Sequence, residues 1–263
     1  MSYRLSQSFT YTYDGPASDL EHRLVVVPPA RHGDQVLRTA TVTVSDEKAF
    51  VHWYDDAVGN RRCLVRLADV PRRLDLTVEV TVDRRRNPRP ASLTGSWDLW
   101  RLPSALTAAN AEITALARDH AVSGDVLTTA EAFCSLVPQR ISYGFGVTDV
   151  GTNASQALAG GTGVCQDQAH LMLALCRSVG IAARYVSGHL VGHGGTHAWV
   201  EVADAGRAVA FDPCHARRAD SRYVTVAVGR DYRDVPPTSG RYNGTAHGRL
   251  TSTRLLELVD TAA

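Results

Sequence analysis

Hydrophobic and polar residues alternate through the first third of the chain, a pattern typical of β-strands with one buried and one solvated face. The alternation covers residues 9–13 and 39–45, and it is most regular over 74–82, where leucine or valine occupies every even position. A polar turn sequence at 55–60 separates two of the strands. Several such strands in succession predict an N-terminal antiparallel β-sandwich domain over residues 1–90.

The hydrophobic period changes to that of helices after residue 103. It predicts one helix ending near His120, a second over 126–137 that ends at Pro138, and a third from Cys165 to Val179 that is closed by Gly180. After the third helix, strands are predicted at 182–187, 196–202, 207–211, 223–228 and 250–259. Helices followed by strands in a block favour an α+β fold for residues 103–263.

The junction between these two regions is a charged, proline-interrupted run, DRRRNPRP at 83–90. Such runs are usually solvated linkers, and a dedicated anion site is the alternative. We expect the linker to extend over 91–102, so that it separates the β-domain from the α+β core.

Composition and charge narrow the class of protein. A chain of 263 residues that is 44% hydrophobic and carries a net charge of +1 has no strong field to attract nucleic acid or an anionic membrane. The N-terminus lacks the apolar stretch of a signal peptide, and no apolar run is long enough to span a bilayer. Five widely spaced cysteines do not form a disulfide framework, which favours a cytoplasmic location. The sequence does not indicate an oligomeric state.

The sequence GVCQDQAHL at 163–171 places a cysteine where a glycine-rich loop turns into a helix. Unpaired backbone N–H groups and the helix dipole favour a thiolate in the first turn, and the thiolate is the nucleophilic form of cysteine. A buried structural thiol is the alternative, and Cys176, deeper in the same helix, is interpreted in that way. Cys165 is therefore the candidate nucleophile.

A candidate base and a candidate orienting carboxylate follow in THAWVE at 196–201 and FDP at 211–213. A turn at 204–206 would pair two strands as a hairpin and bring Asp212 beside His197, because the two residues lie at matching distances from the turn. A neutral imidazole could then take the thiol proton and later protonate the leaving group, while the carboxylate fixes its tautomer. A hydrogen-bonded surface histidine is the alternative.

A metal site is the rival interpretation of this region. His189, His193 and His197 recur at intervals of four, which on a helix would place three ligands on one face. Glycines at 192, 194 and 195 oppose a helix there, so we expect no metal. We interpret Cys214 and His215 as loop residues without a role.

Together these segments resemble the transglutaminase-like superfamily, and most of all its bacterial members with an N-terminal β-domain, often described as cysteine proteases. The similarity covers nearly the whole chain, at 56–60, 163–170, 182–188, 196–201, 211–213 and 228–244. Two features depart from the family pattern. Gln168 stands where members usually carry an aromatic residue, and the GHGG sequence at 192–195 is a short approach to the histidine strand.

The resemblance implies a papain-like α+β core in which Cys165, His197 and Asp212 form a catalytic triad that needs no cofactor. It implies a thiol enzyme that cleaves amide bonds of a peptide, protein or small acyl substrate through a thioester. Acyl transfer to an amine, and a non-catalytic binding module on the same fold, are the alternatives.

Other residues could complete the acyl site. The backbone N–H of Cys165 would supply half of an oxyanion hole. Tyr143 is a candidate for the second donor, although a role in the core is the commoner one for a tyrosine. Gln166 and Trp199, which adjoin the cysteine and histidine, are the remaining candidates for substrate binding.

Overall fold

The computed structural model of the chain describes residues 1–85, 90–92, 97–192 and 194–259. His193 and parts of the expected linker, 86–89 and 93–96, lie outside the described residues. The described part contains four α-helices: α1 Ala111–His120, α2 Val126–Arg140, α3 Ala154–Gly160 and α4 Cys165–Ser178. Two 3-10 turns lie at Asp98–Arg101 and Tyr232–Asp234.

Strands make up the rest of the regular structure. They are β1 Ser2–Tyr13, β2 Ala17–Leu24, β3 Arg31–His32, β4 Gln35–Val44, β5 Phe50–Asp55, β6 Arg61–Asp69, β7 Arg73–Asp83, β8 Ala91–Ser92, β9 Ser142–Tyr143, β10 Thr162–Gly163, β11 Ala183–Leu190, β12 His197–Asp204, β13 Arg207–Asp212, β14 Arg217–Arg218, β15 Tyr223–Gly229, β16 Thr238–Gly244 and β17 Gly248–Val259.

Two antiparallel sheets pack face to face at the N-terminal end of the molecule. One has the strand order β17-β1-β7-β4-β3, and the other has the order β16-β2-β6-β5. The alternating residues of β1, β2, β6 and β7 point between the sheets, where Leu5, Val65 and Leu76 are fully buried. The predicted β-sandwich is therefore confirmed, and burial of its inner faces is the main source of its stability.

The C-terminal end of the chain belongs to this sandwich, which corrects the predicted extent of the core, 103–263. β17 pairs with β1 along its whole length, from Ser2 opposite Val259 to Tyr13 opposite Gly248, and β16 pairs with β2. Without β17, the twelve-residue strand β1 would be a long exposed edge, which proteins avoid. The chain therefore forms most of the sandwich first and the core next, and β16 and β17 then complete the two sandwich sheets.

The core is built on a separate six-stranded sheet that helices cover, in agreement with the predicted α+β class. Its strand order is β14-β13-β12-β11-β15, and β8 pairs with β13. Helix α4 packs on β11 and β12, and the other three helices surround it. Helix α2 extends to Arg140, past its predicted end, because Pro138 lies in the last turn, where its missing N–H costs one bond.

The sandwich is fastened to the outer edge of the core sheet by two buried amides. The side chain of Gln35 donates to the carbonyl of Thr225 at 2.8 Å and accepts from its N–H at 2.9 Å. The side chain of Asn60 donates to the carbonyl of Val228 at 2.8 Å and accepts from its N–H at 2.7 Å. These bonds satisfy the backbone of edge strand β15, so the two units share one continuous hydrogen-bonded structure.

The charged run that was expected to be a solvated linker begins inside this interface. The guanidinium of Arg84 pairs with the buried carboxylate of Asp34 at 2.8 Å and also donates to the carbonyl of Tyr223. Its side chain is only 11% exposed.

Within the described residues, no helix has both the length and the apolar character needed to cross a bilayer.

Candidate active site

The loop before α4 is held in one conformation by an acidic residue of the first helical turn. The carboxylate of Asp167 accepts the N–H of Val164 at 2.8 Å and the hydroxyl of Thr148 at 2.7 Å. A Cβ atom at position 163 would lie 2.7 Å from this carboxylate, so only Gly163 fits. Sequence reasoning missed Asp167, although an acid three residues after the cap position is a known helix-start signal.

Cys165 is the first residue of α4, and its position differs from those of the other cysteines. It is partly exposed and lines a cleft, whereas Cys63, Cys134 and Cys176 are buried. Burial raises the pKa of the Cys134 and Cys176 thiols to about 12. The N–H groups of Cys165 and Gln166, in the first turn, have no carbonyl acceptor within the helix and can stabilise negative charge.

The β12–β13 hairpin brings His197 and Asp212 together. Its two-residue turn is Ala205 and Gly206, which both have positive φ, as a type I′ turn requires. Val200 pairs with Phe211, so Asp212 and His197 lie diagonally on one face of the hairpin. The Nε2 atom of His197 lies 2.8 Å from Oδ2 of Asp212, and both side chains are fully buried.

Asp212 has more partners than the sequence indicated. Its Oδ2 atom also accepts from the hydroxyl of Tyr223 at 2.6 Å and lies 2.7 Å from Nδ1 of His215. Its Oδ1 atom accepts the N–H of Cys214 at 2.9 Å. Burial opposes the charged form, but the hydrogen bonds and the charge of His197 outweigh it and lower the pKa of Asp212 to about 2. His215, interpreted above as a loop residue without a role, is therefore part of the carboxylate's environment.

The surroundings of His197 favour its protonated form, whereas a neutral imidazole was expected from the sequence. Burial lowers its pKa, but the hydrogen bond with Asp212 and electrostatic interactions with Cys165 and Asp212 outweigh burial and raise the pKa to about 9. Nε2 is engaged by Asp212, so Nδ1 is the ring nitrogen that remains for Cys165.

The weaker candidates lie in different places. Tyr143 is 54% exposed and lines the cleft with Cys165, so it is not a core tyrosine. Gln166 is partly exposed and lines the same cleft. Gln168, by contrast, is buried and donates to the carbonyl of Ile141 at 2.8 Å, so its departure from the family pattern affects packing and not the cleft.

Trp199 lies outside the cleft, which contradicts its prediction as a substrate-binding residue. The indole is 1% exposed and packs edge-on against Tyr223, with ring centroids 5.3 Å apart. It also covers Gly188, where a Cβ atom would lie 2.5 Å from the indole. The alternation of β12 puts Trp199 on the face of His197, but that face is buried as well. Trp199 packs against Val186, Leu190 and Tyr223 of the core sheet, so the expectation of an exposed face was wrong.

The helical metal site is also absent from the described residues. His189 lies in β11 and His197 begins β12, so no helix carries both. Nitrogen and oxygen atoms of His197, Asp212 and His215 do converge within 4.8 Å of one another. Because Asp212 lies within hydrogen-bond distance of both imidazoles, these three groups form a hydrogen-bonded cluster.

Comparison with known proteins agrees with this fold. The model of the transglutaminase-like superfamily matches residues 111–213, and that of the bacterial transglutaminase-like N-terminal region matches residues 3–83. The crystal structure of a "putative cysteine protease" from Cytophaga hutchinsonii has a TM-score of 0.80 and 21% identity, covering 100% of this chain and 92% of its own. That likeness shows a shared fold.

Relatives with a closer sequence occur in mycobacteria. An uncharacterized protein of Mycobacterium leprae is 36% identical over 152 residues, which is 54% of each chain, so this chain spans about half the length of that relative. An uncharacterized protein of Mycobacterium tuberculosis is 31% identical over 221 residues, 70% of each chain. The protein belongs to the transglutaminase-like superfamily, and its sandwich carries that superfamily's bacterial N-terminal region.

Proposed function

We propose that the protein is a thiol enzyme that hydrolyses amide bonds through a thioester on Cys165. The observation that carries this proposal is the buried pair of His197 and Asp212, 2.8 Å apart, beside a cleft that Cys165 lines. A complete set of nucleophile, acid–base group and orienting carboxylate is what acyl chemistry requires, and a binding module has no need of all three.

In the first half of the reaction, the Cys165 thiolate attacks the carbonyl carbon of the amide and a C–S bond forms. The N–H groups at the start of α4 stabilise the negative charge that develops on the carbonyl oxygen. The His197 imidazolium donates its proton to the departing nitrogen as the C–N bond breaks. Ammonia or an amine leaves, and the products are a thioester and a neutral imidazole.

In the second half, neutral His197 accepts a proton from water while the water oxygen attacks the thioester carbonyl. The C–S bond breaks, a carboxylic acid is released, and the thiolate–imidazolium pair is restored. Asp212 keeps His197 in the orientation and tautomer that both steps need. We propose hydrolysis over acyl transfer because water needs no acceptor site of its own.

Peptides that contain glutamine test this function, incubated with and without a primary amine and followed by mass spectrometry. We expect deamidated or cleaved products with the parent protein and none with Cys165→Ala. Incorporation of the amine at the expense of hydrolysis would identify an acyltransferase. Equal products from both proteins, or none from the parent, would contradict the proposal.

We further propose a peptide, protein or small acyl compound as substrate and a reducing compartment such as the cytoplasm as location. All five cysteines are free, and a nucleophilic thiol must stay reduced to act. Thiol titration of protein purified without reductant tests the location, because five reactive thiols in the unfolded protein are expected.

A further inference from the structure

An arginine of the terminal strand occupies a position where the sandwich pattern calls for an apolar residue. In the register of β1 and β17, Arg254 lies opposite Gln7, and its neighbour Leu256 lies opposite Leu5. Gln7 and both leucines are buried between the sheets. Directly opposed residues share a face, so Arg254 points inward as well. Burying a charge between two sheets costs free energy unless the charge is paired and hydrogen-bonded.

The surroundings of Arg254 do not satisfy its guanidinium. Nη1 donates to the hydroxyl of Ser252 at 3.2 Å, and the group lies 5.3 Å from the ring centroid of Phe9. Its Nε atom is buried and has no acceptor among the described residues. Within that same part of the chain, no carboxylate forms an ion pair with Arg254. Burial accordingly lowers the pKa of its guanidinium.

Two arginines with little exposure show what a purely structural role looks like in this protein. Arg84 pairs with the carboxylate of Asp34 at 2.8 Å. Arg177 donates to three backbone carbonyls, at 2.8 to 3.1 Å, and to a threonine hydroxyl. Both guanidinium groups are surrounded by oxygen acceptors, and that of Arg254 is not. A buried donor with no acceptor in the described part of the chain calls for an explanation, and an external partner is one.

Arg254 lines the same cleft as the proposed nucleophile. The cleft has a volume of about 440 Å³ and is bounded by Cys165 and Gln166 on the core side and by Tyr232, Pro237 and Arg254 towards the sandwich. Apart from the proposed Cys165–His197 pair, Arg254 is the one charged residue among the described residues that line it, and none of them carries a carboxylate. A carboxylate that enters this cleft would therefore meet a partly desolvated cation, while the charge of the Cys165 thiolate is balanced by His197.

We propose that Arg254 binds a carboxylate of the substrate and makes the enzyme selective for amides that carry one near the scissile bond. This inference rests on the proposed function, and it gives the returning strand β17 a role in specificity. A planar guanidinium binds a carboxylate through two parallel hydrogen bonds, which a point charge such as a lysine ammonium cannot reproduce.

Two alkylating agents that differ in one group test the proposal without a known substrate. Iodoacetate carries a carboxylate where iodoacetamide carries an amide. Peptide mapping gives the alkylation rate of Cys165 by iodoacetate divided by its rate with iodoacetamide. We expect this ratio to fall roughly tenfold in Arg254→Met relative to the parent protein, as for loss of one charge-assisted hydrogen bond. Arg254→Lys should retain most of the preference. Arg249→Met, which removes an exposed charge on the same strand, is the matched control.

The outcomes separate this inference from the proposed function. If iodoacetamide labels Cys165 rapidly but the ratio is the same in the parent and Arg254→Met, the proposed function stands and the role of Arg254 is wrong. An equal fall in Arg249→Met would assign the effect to net charge and also overturn the inference. Slow labelling of Cys165 by both agents would refute the proposed function itself.

Peptide substrates identify the source of the carboxylate. One peptide pair carries glutamate or alanine next to the reactive glutamine, and a second pair ends in a free or an amidated C-terminus. The pair whose charged member has the higher kcat/KM in the parent, with that advantage lost in Arg254→Met, names the source. If neither carboxylate gives an advantage in the parent, selectivity through Arg254 is contradicted.

Discussion

The hydroxyl of Tyr223 donates to Oδ2 of Asp212 at 2.6 Å, the same oxygen to which His197 is bonded. Tyr223 begins β15, the strand whose outer edge is bound by the amides of Gln35 and Asn60. The sandwich therefore holds the strand that positions the orienting carboxylate of the proposed triad. This connection gives the N-terminal domain a structural role in the active site.

Tyr223→Phe tests that role. Removal of the hydroxyl takes one of the hydrogen bonds from Asp212, so we expect kcat to fall roughly tenfold, the low end for the loss of an orienting partner. Tyr3→Phe is the control, because Tyr3 is equally buried but its hydroxyl donates to the sulfur of Met1 at 3.8 Å and not to Asp212. Unchanged kcat in Tyr223→Phe, at equal thermal stability, would show that the hydroxyl does not support Asp212.

Asp212→Asn should keep the fold but lower kcat by roughly two to four orders of magnitude, because an amide can stabilise the wrong imidazole tautomer. Circular dichroism checks the fold, and turnover of the peptide substrates gives kcat. A variant with near-parental kcat would mean that another group orients His197.

The pH dependence follows from the two shifted groups. The pKa of His197 is raised from 6.5 to about 9, so the imidazolium persists at neutral pH and is lost as the pH rises through 9. The pKa of Asp212 is lowered from 3.8 to about 2, so its carboxylate persists until the pH falls towards 2. We expect kcat/KM to decline above about pH 9, and Asp212→Asn to move this decline to lower pH.

The free energy of unfolding should depend on the same two groups. The His197 ion pair stabilises the folded state fully below pH 6.5, and this stabilisation is lost as the pH rises through about 9. Ionised Asp212 stabilises the folded state fully above pH 3.8, and this stabilisation is lost as the pH falls through about 2. Melting temperatures of the parent and Asp212→Asn across this range provide the measurement.

For the activity profile, an alkaline decline in kcat/KM that lies at the same pH in both proteins would contradict the assignment to His197.

Local patterns predicted much of the site. The positive φ values of Ala205 and Gly206 fit the turn that was expected at 204–206, and the hairpin brings His197 to Asp212. Tyr223 and Arg254 could not be found in this way. Their positions depend on which strands pair across the molecule, and neither the return of β17 to β1 nor the burial of both faces of β12 leaves a local signal.

Alanine substitutions separate a chemical from a structural thiol. Cys165→Ala should abolish turnover with little change in melting temperature, because Cys165 is partly exposed at a helix start. Cys176→Ala should do the reverse, since it leaves a cavity at a fully buried position and costs about 1–2 kcal/mol of unfolding free energy. If Cys165→Ala melts far below the parent, the residue is structural.

The rate at which iodoacetamide alkylates each cysteine at neutral pH tests the central claim most directly, and it requires no substrate. We predict that peptide mapping after partial labelling will find Cys165 modified at least roughly tenfold faster than the other four cysteines, and that His197→Ala will remove most of this advantage. Labelling of Cys165 at the rate of Cys214, the other partly exposed cysteine, would contradict the assignment of Cys165 as an activated nucleophile.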